Sequence, residues 1–395
     1  IRDRRKSLVG SEMCIRDRAY FDYMARCFPV MCASDEFHFM PRAAQAAAYY
    51  DRLEDLDART IKDVLVRLKG FQETFTQQAA ASCDLEEHID FALLQSNVAG
   101  VLIELEQNQA WRRNPLLYLK IACIGLDQAL NKPAVSDQDR VERTRARLSG
   151  IPRLLQQAIN NLDRIAQTHY HASLAMIQDA RHYLVSMARN TFLGAIADFQ
   201  AHTESALHAL SDLRRFIKTL NPLPDTECAL GSLQASLTEH FLTTHTADDI
   251  FRLAQEEWHQ TIETLQSLAQ RIDPRKTWQV LYHEFNPIER PGLDILSLYT
   301  REIDQLRSFF QENGFSPHDL DAPLELAETP AYLQSVRSSA SFSAALREGH
   351  GEKSFFYMSV PQALGHIDDA LLLQQRLHRE YKYLTAHETI PGHHV

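Results

Sequence analysis

In the stretch ESALHALSDLRRFIKTLNP the apolar residues Leu207, Leu210, Leu213, Phe216, Ile217 and Leu220 recur at steps of three and four, and Asn221-Pro222 breaks the pattern. That spacing lays an apolar stripe along one face of an α-helix. Comparable stretches cover about 42–108, 136–167, 171–218, 247–271, 292–313 and 363–390, with Ser136 placed to cap the helix that opens DQDRVERTRARL. Between them lie short punctuators such as RRNPLLY, NPLPDTE and FNPIERPG, with no internal repeat and no charge block. The pattern predicts a mainly α chain: one large multi-helix domain over 19–395, with a soft division near 221–228.

One segment departs from the helical period. VRSSASFSAALR and KSFFYMSV are short, partly alternating and rich in Ser, Phe, Tyr and Val, and they flank EGHGE, whose two glycines suit a turn. A short β-hairpin is expected here, just upstream of the last helix.

Composition supports the helices: only 13 glycines occur in 395 residues. The net charge of −11 repels phosphates, so nucleic acid is not an expected partner. No run of eighteen apolar residues exists, so no transmembrane segment is expected. Cys14, Cys27, Cys32, Cys83, Cys123 and Cys228 form no C-x-x-C pair and read as free thiols rather than as a metal site.

The first eighteen residues, IRDRRKSLVGSEMCIRDR, differ in style from the rest, and LVGSEMCIRD resembles a translated sequencing-library adapter. Residues 1–18 are therefore set aside as an artefact. They overwrite the place where a signal peptide would sit, so the compartment stays open between cytoplasmic and exported. The sequence carries no mark of oligomeric state.

The chemistry concentrates in HETIPGHHV at 387–395. His-Glu on a helix supplies a zinc ligand and a base side by side, and in the H-E-x-x-H form the second ligand follows four residues on. Here that position is Pro391, which binds no metal. Two replacements remain. His394, seven residues on, returns to the face of His387 on a regular helix but far along its axis. His393 would serve if Pro391 and Gly392 made a bulge that absorbs two residues.

Other candidates read as structural. The second His-Glu pair, His283-Glu284, has no histidine soon after it. His240 and His245 with Asp248 and Asp249 suit helix capping and solvent. His38, between Phe37 and Phe39, reads as a hydrogen-bonded core histidine. Tyr357 in the hairpin could contact substrate at an oxyanion, against a packing role beside Phe355 and Phe356.

LTAHETIPGHHV resembles the signature of a large bacterial family, domain of unknown function 885, grouped with the gluzincin metallopeptidases. DEFHFMPR, RRNPLLYL, IPRLLQQAINNL and AETPAYLQSVR are similar to the family in order, extending the likeness over most of 35–395. The resemblance implies a zincin-like, mostly helical fold with Zn2+ held by His387 and His393, and Glu388 as the base. It favours His393 over His394. The third ligand of gluzincins, a glutamate from a later helix, would lie beyond Val395, leaving an incomplete fragment inactive alone. The expected activity is hydrolysis of a peptide substrate. A non-catalytic helical binding protein and a zinc-dependent amidase or esterase stand as alternatives.

Overall fold

The computed structural model describes residues 13–82, 84–187, 198–225, 232–287, 294–316, 320, 322–337, 339–347, 351–359 and 367–394. These are mainly helical with one small sheet, and they group into two compact units. The first unit holds the residues up to Thr243 together with Ala331–Val336 and Leu346–Glu352; the second holds Thr244–Pro330, Arg337–Ala345 and the residues from Lys353 on. The division expected near 221–228 falls partly on residues 226–231, outside the described residues.

In the first unit run α1 (Met13–Cys27), α2 (Ala58–Ala81), α3 (Leu85–Leu102), α4 (Pro115–Asn131), α5 (Asp137–Asn161), α6 (Gln167–Met187) and α7 (Phe199–Ile217). Polar caps mark their starts. Asp57, Asp84, Asn114 and Ser136 each accept an amide of the first turn, in α2, α3, α4 and α5 respectively. The region 42–108, which the period reads as helical, holds a 3-10 turn and two α-helices, α3 running on into a π-turn at Ile103–Gln107.

The stripe of α7 does what its spacing predicts. Leu210, Leu213 and Ile217 are buried, and Leu207, Phe216 and Leu220 pack against the same core. Its main neighbour is α5, which in turn packs on α4. Cys32 and Cys123 are buried and Cys27 half-buried, all as free thiols.

Polar groups also lie in this core. Arg147 is fully buried and donates to the carbonyls of Gly125 and Tyr49 and to Gln128 Oε1. Glu54 Oε1 accepts the amides of Val30 and Met31 at 2.7 and 2.9 Å, holding the turn after α1.

The second unit contains α8 (Ala247–Ile272), α9 (Trp278–Glu284), α10 (Ile295–Glu312), the strands β1 (Leu324–Glu328), β2 (Ala340–Ser343) and β3 (Ser354–Met358), and α11 (Ile367–Glu388). The expected hairpin is present: β2 pairs antiparallel with β3, Phe342 opposite Phe356. A third strand, β1, joins in parallel on the other side, giving the order β1-β3-β2. Alternation along β3 sends Phe356 and Met358 inward. They meet Leu298, Tyr299 and Ile303 of α10 and Leu377, Tyr381 and Leu384 of α11 in a second apolar core. Tyr299 ties the two helices by donating its hydroxyl to Leu377 O at 2.9 Å. This core fixes α11, whose C-terminal end carries the His-Glu pair.

Candidate metal centre

The helix α11 stops at Glu388. Its last turns are anchored from within: the buried Thr385 and Thr389 hydroxyls donate to the carbonyls four residues back, at 2.6 and 2.5 Å. Beyond Glu388 the ladder changes. Gly392 N donates to Ala386 O and His393 N to His387 O, both at 3.0 Å and both spanning six residues instead of four. Two extra residues are therefore looped out, and His393 makes the backbone bond to His387 that the fourth residue makes in an uninterrupted helix. Pro391, which has no amide hydrogen, sits in that loop.

Glycine is obligatory at the close. A Cβ at Gly392 would stand 1.8 Å from His387 O and 2.6 Å from Ala386 O, both backbone atoms. The same bond that returns His393 to the helix end thus leaves no room for a side chain next to it.

The three histidines take different places. His387 and His393 are both exposed, and their rings meet edge to face, centroids 4.9 Å apart with planes at 80°. Among the described residues no hydrogen bond occupies the nitrogens of either ring. His394 instead is 5% exposed; its Nε2 lies 3.1 Å from Ala322 O, and its ring stands edge-on to Phe342. Glu388 is 9% exposed, and among the described residues no hydrogen bond or ion pair holds its carboxylate.

Two aromatic residues escaped the sequence reading. Tyr383 stacks on His387 at 5.8 Å with planes 24° apart, and Phe342 of β2 stacks on His393 at 6.1 Å and 17°. Tyr383 was open to discovery, since it precedes His387 by four residues on one helix. Phe342 was not, because its approach depends on the sheet.

Tyr357 lies elsewhere. Alternation puts it on the sheet face opposite Phe356, stacked on Phe355 at 5.3 Å, with the Arg337 guanidinium 5.1 Å over its ring. His240 is structural: its ring packs over Gly100, and its Nδ1 lies 3.0 Å from Ser96 O. Asp249 closes a capping box with Thr246 at the start of α8. Glu284 pairs with Lys276 on the surface. His38 departs from expectation: it is exposed, while Phe37 beside it is buried in the core and Phe39 is half-buried.

The donor set fits zinc in kind, with two imidazoles and an adjacent carboxylate. Among the described residues no three His, Cys, Asp or Glu side chains form a group able to hold a metal ion. Among the same residues no helix is long and apolar enough to cross a membrane.

Residues 41–395 match a family described as a bacterial protein of unknown function, DUF885. A solved structure from Shewanella oneidensis, described as a putative lipoprotein of unknown function, is similar with a TM-score of 0.62 at 18% identity, covering 97% of this chain and 71% of that one. At that identity the likeness speaks for the fold. No curated protein matches.

Proposed function

The chain belongs to the bacterial family DUF885, and on that premise we propose that it is a zinc-dependent peptide hydrolase of the gluzincin kind, with His387 and His393 as ligands and Glu388 as base. The reading is carried by one observation: two exposed imidazoles meet at the end of a helix beside a largely buried carboxylate, and among the described residues no hydrogen bond or ion pair occupies the ring nitrogens or the carboxylate.

The roles follow from position. His387 and His393 present exposed imidazole rings, while His394 is taken up by Ala322 and Phe342. Glu388, next to His387 at the helix end, accepts the proton of the attacking water and returns it to the leaving amine. His387 and His393 would hold a zinc ion, which when bound would supply Lewis-acid polarisation and activation of water near neutral pH. On this reading the third ligand comes from outside the described residues.

The strand β2 is an edge of its sheet, and its Phe342 touches both His393 and His394. An extended peptide added to that edge would run beside the histidines. The test is hydrolysis of a mixed peptide library by a form of the protein extended to include the third ligand, as wild type and as Glu388→Gln. Loss of the base lowers the rate by about 10²–10⁴-fold; equal hydrolysis by both proteins overturns the assignment.

A second reading, a helical binding protein without catalysis, draws on the lack of a three-ligand group among the described residues. It predicts peptide binding without turnover in either protein.

A further inference from the structure

We propose that Tyr383 and Phe342 are positioning residues that hold the imidazoles of His387 and His393 in their edge-to-face arrangement, an inference that rests on the reading of those histidines as ligands. Four rings form a series. Tyr383 stacks on His387, His387 stands edge-on to His393, and His393 stacks on Phe342.

The series draws on two separate elements. Tyr383 comes from α11 itself, one turn before His387. Phe342 comes from β2, where it pairs opposite the fully buried Phe356. Phe342 also meets His394 edge to face, and the Nε2 of His394 lies 3.1 Å from Ala322 O. His394 thereby links Phe342 to the backbone of Ala322.

An exposed histidine is free to rotate about two torsions, and fixing a mobile side chain carries an entropic cost. An aromatic pair at these separations contributes stabilisation of about the same size. The stacking thus offsets the ordering before any metal arrives. Tyr383 is suited to that task and to little else. It is 65% exposed, adding little to the core, and its hydroxyl makes no hydrogen bond among the described residues.

The test uses the whole protein and two readouts, one of them free of metal. Proton NMR of the imidazole C–H signals of His387 and His393 reports the ring current of their neighbours, and calorimetric titration with zinc chloride alone reports affinity. In Tyr383→Ala the His387 signals shift and zinc binds about 10-fold more weakly, as is usual when support behind a ligand is removed, while the unfolding temperature holds. Tyr383→Phe keeps both wild-type values. Phe342→Leu, which retains an apolar side chain at the sheet position, does the same to His393. Unmoved ring signals, or unchanged zinc affinity in Tyr383→Ala alongside lost affinity in His387→Ala, overturn the positioning role alone. Zinc affinity unchanged in His387→Ala overturns the ligand reading and the inference with it.

Discussion

The amide of His393 donates to the carbonyl of His387 across six residues, and the two imidazoles meet edge to face 4.9 Å apart. The backbone bond and the ring contact depend on one position between them. Gly392 is packed so closely on His387 O that a methyl group would stand 1.8 Å from it. Gly392→Ala must therefore open the loop. The expected cost is about 1–3 kcal/mol of local strain, typical of forcing extra atoms into a packed site. NMR would show the loss as disappearance of the His387–His393 proton contacts, with the cores otherwise unchanged. Retained contacts in Gly392→Ala would refute this view of the loop.

Glu54 predicts an unusual pH dependence in the first unit. Burial pushes its carboxyl up to about 7, against the lowering effect of the Met31 amide and of Arg147. Oε1 accepts two amides, but Oε2 is buried without a partner among the described residues, so the ionised form is poorly compensated. A carboxyl raised on folding contributes stability that is present below its unfolded pKa and lost as pH rises through its folded one. Between the usual glutamate range and about pH 7 the loss reaches about 3 kcal/mol. Glu54→Gln, neutral throughout, should unfold at a higher temperature than wild type at pH 8 and lose the difference at pH 5. An identical pH profile for both proteins would contradict the assignment.

Glu352 predicts the opposite sign. Its side chain is fully buried, accepts Lys132 Nζ at 2.8 Å and Arg347 Nε at 3.1 Å, and is held below the usual carboxylate range by those partners against desolvation. Stability from this group is present above its unfolded pKa and lost as pH falls through its folded one. Lys132→Ala removes one charged hydrogen bond and should cost about 1.5–3 kcal/mol at pH 7. The cost should shrink in denaturant titrations as pH falls through the lowered pKa of the folded carboxyl and the group is protonated. A cost that does not change with pH would rule out the ion pair as its source.

Local signals carried much of this architecture and tertiary ones did not. The stripe Leu207–Leu220, the Ser136 cap and the loop at Pro391-Gly392 depend on periodicity, a hydroxyl and two residues with special backbone chemistry, all readable within a few positions. The strand β1, LELAE, reads as a helix former; it is a strand because β3 supplies its hydrogen bonds, and that partner lies about thirty residues away. The division after Thr243 has no glycine- or proline-rich linker to announce it. The burial of Arg147 and Glu54 is equally silent, since only the fold brings carbonyls and amides to meet them. At the candidate site the His387–His393 pairing was legible, and its support by Phe342 was not.

The ligand assignment is tested most directly by zinc stoichiometry and affinity after equilibrium dialysis, measured by mass spectrometry on wild type, His387→Ala, His393→Ala and His394→Ala. His387→Ala and His393→Ala should each lose bound zinc by tenfold or more at fixed free zinc, whereas His394→Ala should retain binding to within a few-fold, in keeping with its contact to Ala322 O. Zinc retained in full by His387→Ala and His393→Ala, or lost only in His394→Ala, would contradict the assignment.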